Sequence, residues 1–174
     1  VNLVQKDTVN MSGNVAREAT RSQGRRPPIL LARRRSRSDN QGMATNHGVI
    51  VREAVEPRDL RAFVGLPRRV YAADPAWAPP IWAAERTAYR PGRNAVLDRS
   101  AHALLIALSG DRVVGRVVAY VDPRFNAHFG ARTGFLGSFE CEDDGRASAD
   151  LLAAAEAWLA GRGMDRVRGP INPV

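Results

Sequence analysis

The chain has 174 residues, of which 44% are hydrophobic, 25% charged and 6% aromatic, proportions that indicate an ordinary globular domain and exclude fibrous, collagen-like and disulfide-scaffold proteins. The longest apolar run covers only residues 103–108, far fewer than the ~20 residues that cross a bilayer, so no transmembrane helix is predicted. A single cysteine, Cys141, excludes an internal disulfide and favours a cytoplasmic protein.

The net charge of +8 is concentrated at the N-terminus. Residues 1–43 carry nine basic and three acidic residues, or +6, whereas residues 44–174 carry 17 and 15, or +2. All basic residues except Lys6 are arginines, a bias that a GC-rich coding sequence produces without selection for phosphate contacts. Because no aromatic platform or recognition helix accompanies the arginine run at residues 33–37, a solvated tail is favoured over nucleic-acid binding.

Residues 1–46 have no sustained apolar period and are rich in serine, asparagine, glutamine, glycine and arginine, a composition that predicts a disordered basic tail. Two origins of this tail stay open, an organelle transit peptide or translated sequence upstream of a start at Met43, and the second is favoured. The apolar stretch at residues 29–32 is too short for a secretory signal. We therefore expect residues 47–174 to form the folded domain.

The first half of this domain is predicted to contain one strand and two helices. Residues 49–55 are rich in valine and predict a strand, after which Pro57 starts a helix at the favoured first-turn position. Pro67 is expected to break or kink this helix. A proline-rich loop around Trp77 follows, and residues 81–89 predict a second short helix.

A hairpin and a further strand are predicted next. Residues 101–108 and 112–121 have the apolar pattern of buried strands and are joined by a tight Ser-Gly-Asp turn. Residues 133–140 predict the following strand. Simple alternation along this strand places Phe135, Gly137 and Phe139 on the same face of the sheet.

A long helix and a short strand complete the pattern. Asp144 or Ser148 is the candidate N-cap of the helix, and residues 165–169 predict the last strand. The apolar residues of the helix recur at helical spacing, at Leu151, Leu152, Ala155, Trp158 and Leu159. The order is β-α-α-β-β-β-α-β, which predicts an α/β (α+β) fold with a mixed sheet that ends in a parallel crossover.

Four stretches of this sequence resemble the GNAT (GCN5-related) N-acetyltransferase family. The stretch GDRVVGR at residues 110–116 is similar to the second and third strands of the GNAT fold. Three others are similar to a poorly characterised bacterial group of GNAT-like proteins: GFLGSFECEDD at residues 134–144, AEAWL at 155–159 and RGMDRVRGPINP at 162–173. The resemblance covers about residues 49–174 and implies a mixed central sheet and acyl transfer to an amine acceptor, with acetyl-CoA or another acyl-CoA as the donor.

The resemblance also implies roles for individual residues. In the GNAT fold a distorted strand directs backbone N–H groups at the thioester oxygen, and the N-terminus of the following helix holds the diphosphate of the cofactor. Glu140 is the candidate general base, with a solvated or helix-capping carboxylate as its alternative role. The candidate cofactor-binding residues are Phe139 and Cys141 at the strand end, Gly145, Arg146 and Ala147 at the start of the helix, and Asn172 after the last strand.

Two departures from the GNAT pattern lead to an alternative function. The chain ends after the predicted last strand, before the helix and two strands that would follow, so we expect an incomplete domain with an open sheet edge through which copies of the chain could pair. Four carboxylates, at positions 140 and 142–144, precede the helix that would hold the diphosphate, and they would repel it. The alternative function is therefore a non-catalytic interaction module.

The remaining reactive and aromatic residues favour structural roles. The thiolate that Cys141 would need as a nucleophile is disfavoured beside the neighbouring carboxylates. Trp77, Trp82 and Tyr89 could form an acceptor-binding lip, but packing on the sheet is favoured. The three histidines lack the spacing of a zinc site with the cysteine, so no metal is predicted.

Overall fold

The computed structural model describes residues 9–10 and 48–173 of the chain. Most of the predicted basic tail, residues 1–46, lies outside this described part, as does the candidate start at Met43. Within the tail, Val9–Asn10 forms a two-residue strand, β1, which pairs antiparallel with the strand at residues 166–168.

Five further strands and six helices follow in the described part of the chain. The strands are β2 (Val49–Glu53), β3 (Ala101–Ser109), β4 (Arg112–Val121), β5 (Thr133–Cys141) and β6 (Arg166–Arg168). The helices are α1 (Pro57–Gly65), α2 (Pro67–Val70), α3 (Trp82–Ala88), α4 (Ala95–Arg99), α5 (Pro123–Phe129) and α6 (Gly145–Ala160). All the predicted strands and helices are present, and α4 and α5 were not predicted.

The strands form one mixed sheet in the order β1-β6-β5-β4-β3-β2. Neighbouring strands are antiparallel except β5 and β6, which run parallel because α6 crosses over between them. The predicted mixed sheet with a parallel crossover is therefore confirmed. The parallel pairing is short, since it involves only residues 133–135 of β5.

Turn and capping residues explain where several elements begin. Gly110 in the β3–β4 turn has a φ of +59°, a left-handed conformation that glycine adopts without steric cost. The predicted break at Pro67 is confirmed, because α2 begins there directly after α1 ends. The two helices missed by the sequence analysis start at side-chain caps: Asn94 accepts hydrogen bonds from two N–H groups of α4, and Asp122 does the same for α5.

Apolar layers cover both faces of the sheet. On one face, called the α6 face, Leu151, Ala155 and Leu159 of α6 have no exposed surface. Gly134 of β5 makes room for this helix, because a Cβ at that position would lie 2.5 Å from a methyl carbon of Leu159. On the opposite face, called the α1 face, Phe63 of α1 is completely buried with residues of β3, β4 and β5.

After β6 the chain, here called the C-terminal segment (residues 169–173), crosses next to β5. The Ile171 N–H donates to Leu136 O at 2.7 Å, and Asn94 Nδ2 donates to Pro173 O at 2.7 Å. The crossing requires glycine at position 137, because a Cβ there would overlap the carbonyl oxygen of Ile171. These contacts hold the C-terminal segment against the middle of β5.

Candidate functional site

A bulge in β5 determines which side chains face each side of the sheet. The register with β4 shifts at this point, and Ser138 has a φ of +50°, which is uncommon for a residue other than glycine. Phe135, before the bulge, packs on the α1 face, whereas Phe139, after it, packs on the α6 face. The prediction that Phe135, Gly137 and Phe139 share one face is therefore wrong, because the extra residue reverses the alternation. Glu140 consequently faces the α1 side.

A buried arginine connects two carboxylates on the α1 face. The Arg116 side chain in β4 is 4% exposed, its Nε donates to Glu140, and its Nη2 lies 3.5 Å from Oε1 of Glu85 in α3. Its Nη1 donates to Phe63 O at 2.9 Å. A buried guanidinium requires such partners on its nitrogens, so this network fixes the position of Glu140.

Two hydroxyl groups extend this network toward the bulge. Tyr89 Oη lies 2.9 Å from Ser138 Oγ and donates to Glu85 Oε1 at 3.3 Å. The Ser138 N–H donates to Asn172 Oδ1 at 2.7 Å, so this predicted cofactor ligand contacts the bulge itself. Together with Glu140, these residues line a cavity of 230 Å³ between α3, β5 and the C-terminal segment.

The environment of the cavity changes two pKa values. Burial raises the pKa of Glu140, and the Arg116 guanidinium opposes this only in part. Burial also raises the pKa of the Tyr89 hydroxyl, against the effect of its hydrogen bond with Ser138. A carboxylate with a raised pKa is a better proton acceptor near neutral pH, and the phenol keeps its proton there. Glu140 is therefore the candidate proton acceptor of the cavity and Tyr89 the candidate proton donor.

The end of β5 directs a backbone N–H group at an open edge of the sheet. The Glu142 N–H donates to Val114 O at 2.8 Å, on the β4 side. Because N–H groups alternate sides along a regular strand, that of Cys141 points away from β4. Pairing with β6 ends at Phe135, so this N–H group lies beyond it. Donors of this kind can polarise a carbonyl oxygen.

The start of α6 does not fit the diphosphate of an acyl-CoA. Asp144 is the N-cap of α6, and its Oδ1 accepts hydrogen bonds from the N–H groups of Arg146 and Ala147, both at 3.0 Å. These are N–H groups with which an anion at a helix N-terminus would bind. The predicted cofactor-binding residues Gly145, Arg146 and Ala147 are thus together at the helix start, but around a carboxylate of the chain itself.

The arginines beside this helix start are also engaged. A cavity of 680 Å³ lies next to it and is lined by Arg69, Arg112 and three acidic residues. Glu142 forms ion pairs with both arginines, at 2.7 Å to Arg112 Nη2 and 3.3 Å to Arg69 Nε. The remaining carboxylates of the cavity are those of Asp143 and Asp144. The lining therefore carries a net negative charge from three of the four carboxylates that the sequence analysis singled out, whereas Glu140 lines the other cavity.

Other groups of the described residues do not add a reactive centre. Burial raises the pKa of the Cys141 thiol, and Asp144 and Glu142 raise it further, which disfavours a thiolate. The described residues contain no group of three or more histidine, cysteine, aspartate and glutamate side chains that could hold a metal ion. In the same part of the chain, no helix is both long and apolar enough to span a membrane.

Sequence reasoning missed several residues of the cavity. Arg116 could have been noticed as a single charge within an otherwise apolar strand pattern. Glu85 and Tyr89 are four residues apart, a spacing that places side chains on one helix face. Of the aromatic residues for which packing was favoured over an acceptor-binding lip, Tyr89 lines the cavity, whereas Trp77 stacks on Tyr71 with ring centroids 5.4 Å apart.

The sequence is similar to two curated bacterial proteins, although no family model matches it. It is 32% identical over 123 residues to Protein YghO of Escherichia coli (strain K12), covering 71% of this chain and 31% of that protein. It is 34% identical over 130 residues to Bacterial ceramide synthase of Caulobacter vibrioides (strain NA1000 / CB15N), covering 74% of this chain and 34% of that protein. The chain thus spans about a third of the length of these relatives.

Solved structures similar to this chain include a GNAT protein and an N-acetyltransferase. A tandem GNAT protein from the clavulanic acid biosynthesis pathway has a TM-score of 0.48 and 17% identity, covering 66% of this chain and 33% of that one. PaiA N-acetyltransferase from Thermoplasma acidophilum, in complex with coenzyme A, has a TM-score of 0.45 and 14% identity, covering 67% and 75%. The chain's own strand order, its parallel β5-α6-β6 crossover and its bulge agree with the mixed sheet that the resemblance to the GNAT family implies.

Proposed function

We propose that this chain contributes to an N-acyltransferase that moves an acyl group from a thioester to an amine. The observation that carries the proposal is the bulge at Ser138, which places Glu140 beside Tyr89 in one cavity, next to the open edge of β5. Aminolysis of a thioester requires three groups: a hydrogen-bond donor for the carbonyl oxygen, a proton acceptor for the amine and a proton donor for the departing thiolate.

The thioester carbonyl is placed at the end of β5 in this proposal. The N–H group of Cys141 points to the open sheet edge and would donate to the carbonyl oxygen. Negative charge grows on that oxygen as the amine attacks, so the same hydrogen bond strengthens in the transition state. The donor expected from the resemblance is acetyl-CoA or another acyl-CoA.

Glu140 is the proton acceptor for the attacking amine. Its carboxylate faces the cavity, Arg116 holds it in place, and burial keeps its pKa above the ordinary value. The amine nitrogen forms a bond to the carbonyl carbon and loses one proton to the carboxylate, directly or through water. Arg116 acts as a positioning residue because it contacts Glu140 and not the reacting atoms.

Tyr89 is the proton donor for the departing thiolate. The bond between carbon and sulfur breaks as the tetrahedral intermediate collapses, and the sulfur takes one proton from the phenol. Tyr89 recovers a proton from Glu140 through solvent, so the products are an amide and a free thiol. The contact of Tyr89 with Ser138 holds the hydroxyl at the bulge, where the thioester is placed.

The acceptor class is a primary or secondary amine, and a relative's name supports amide formation. A ceramide is the N-acyl derivative of a long-chain amino alcohol, and the chain is 34% identical over 130 residues to Bacterial ceramide synthase. The chain spans 34% of that protein. Amines and acyl thioesters of different chain length are therefore used to identify the acceptor and the acyl group that this chain accepts.

The test is release of free thiol from acyl thioesters by the full chain in the presence of a panel of amines. Replacing Glu140 with glutamine keeps an oxygen for Arg116 but removes the base, and we expect the turnover rate to fall by about 100-fold. Tyr89→Phe is expected to lower it by about tenfold. Activity should rise with pH through the raised pKa of Glu140.

Glu53→Gln is the matched control, since this exposed carboxylate lies in β2, at the opposite edge of the sheet from the site. Its activity should equal that of the unmodified chain. Full activity of the Glu140→Gln variant would contradict the role of Glu140. Thiol release from no thioester and amine pair would contradict the proposed function and favour the non-catalytic interaction module.

A further inference from the structure

We infer that the acyl donor is recognised through its acyl-pantetheine arm, and that its diphosphate contributes no binding at the start of α6. The inference rests on the proposed function and assigns the donor-binding surface of the same site. Its basis is that Asp144 already occupies the N–H groups that a diphosphate would need.

The hydrogen bonds at the start of α6 compete directly with an anion. The Asp144 carboxylate caps two N–H groups at 3.0 Å, which is the usual distance for such a bond. A carboxylate at this position also satisfies the partial positive charge of the helix N-terminus. A diphosphate would have to displace Asp144 and then lie next to its displaced charge.

The surrounding charges do not compensate for that displacement. The lining of the adjacent cavity contains two cations, Arg69 and Arg112, and three anions, Glu142, Asp143 and Asp144. Both arginines are paired with Glu142, and Arg146 lies 3.8 Å from Asp150 one turn along the helix. A ligand with two or more negative charges would add to a surface that is already negative.

An apolar surface suited to the arm lies elsewhere along β5. A cavity of 260 Å³ opens on the α6 face between β5 and the chain after β6, with a mostly apolar lining. Phe139 lines this cavity and also borders the one that contains Glu140. The open edge of β5 can satisfy the amide groups of pantetheine, and the apolar lining suits its methylene and methyl groups.

The experiment compares acetyl-CoA with S-acetylpantetheine, by calorimetric binding and by thiol release, on the full chain. We expect dissociation constants that agree within about threefold, because the diphosphate makes no net favourable contact. Asp144→Gly removes the carboxylate and frees the two N–H groups, so it should bind acetyl-CoA about tenfold more tightly and leave S-acetylpantetheine unchanged.

Two further variants separate the effect of negative charge in the cavity from the effect of the hydrogen bonds that cap α6. Asp144→Asn keeps a capping oxygen and thus protects the folding of α6, and it should raise the preference for acetyl-CoA by less than Asp144→Gly does. Asp143→Asn removes one negative charge from the same cavity without freeing the two capped N–H groups, and it should leave the preference within about threefold.

The outcomes distinguish this inference from the proposed function. Tighter binding of acetyl-CoA than of S-acetylpantetheine by tenfold or more in the unmodified chain would overturn the inference and leave acyl transfer intact. An unchanged preference in the Asp144→Gly variant, with its fold verified by circular dichroism, would also overturn it. Binding of neither the CoA nor the pantetheine thioester, for the acetyl group and for longer acyl chains, would overturn both.

Discussion

Replacement of Arg116 by methionine tests whether the buried network is an ion pair that stabilises the fold. The guanidinium is 4% exposed and contacts Glu140, Glu85 and the carbonyl oxygen of Phe63. Methionine has a similar length and can fill the space, so the variant removes charge and hydrogen bonds with little loss of volume. Two carboxylates and one carbonyl oxygen then lose their partner.

The size of the expected loss in the free energy of unfolding follows from the burial of the ion pairs. Removing one member of a buried ion pair costs about 3–5 kcal/mol, because the other charge stays buried without a partner. The Glu140 and Glu85 side chains are 17% and 23% exposed, so water can partly solvate them. We therefore expect a loss near the lower limit, about 3 kcal/mol at pH 7.5, which lowers the melting temperature by about 10 °C.

The loss depends on pH in a defined direction. Without Arg116, burial raises the folded-state pKa of Glu140 further above its ordinary value of 4.5. A carboxyl group whose pKa is raised in the folded state costs no stability below its unfolded-state pKa. The cost grows as pH rises from the unfolded-state pKa to the folded-state pKa, and it is constant above that. The difference between variant and unmodified chain should therefore be smallest near pH 4 and largest above neutrality.

Urea denaturation at a series of pH values measures this difference. A second substitution, Glu140→Gln in the Arg116→Met background, should recover at least ~1 kcal/mol, because the unpaired charge is then absent. Arg132→Met is the control, since that arginine is 70% exposed in its pair with Asp165 and should cost less than ~0.5 kcal/mol. A loss below ~1 kcal/mol, or one that does not change with pH, would refute the reasoning.

Two further predictions concern the packing of β5 and the start of α1. Gly137→Ala should destabilise the fold by about 1–3 kcal/mol in urea denaturation, because its Cβ would overlap Ile171 O, whereas Gly145→Ala, with open space around its Cβ, should cost less than ~0.5 kcal/mol. Arg52 holds the pKa of Asp59 at about 2, below its ordinary 3.8, so Asp59→Asn should be less stable at neutral pH and the difference should vanish as pH falls toward 2. A difference that persists at pH 2 would contradict this pairing.

The elements that sequence predicted are those with strong local signals. The hairpin of β3 and β4 follows from apolar patterns around a glycine turn, and α6 follows from helical spacing after Asp144. The helices α4 and α5 have five and seven residues, too few for a clear periodicity. Their caps, Asn94 and Asp122, were visible in the sequence but lacked an apolar pattern after them.

The candidate site was predictable only in part, because it depends on contacts between distant segments. Glu140 was identified from the resemblance, but its partner Arg116 lies 24 residues earlier, on the neighbouring strand. Tyr89 reaches Ser138 across 49 residues, from a helix on the α1 face. These pairs could not be predicted from local patterns, since they depend on the β4–β5 register, and that register is set by the bulge.

The bulge also explains how one strand serves both faces of the sheet. Strict alternation from Phe135 would place Phe139 on the α1 face and Glu140 under α6, among apolar residues that offer a carboxylate no partner. One inserted residue, Ser138, reverses this arrangement and brings Glu140 to Arg116. The left-handed backbone at Ser138 costs free energy, and the hydrogen bonds to Tyr89 and Asn172 offset it at the point where the proposed thioester would lie.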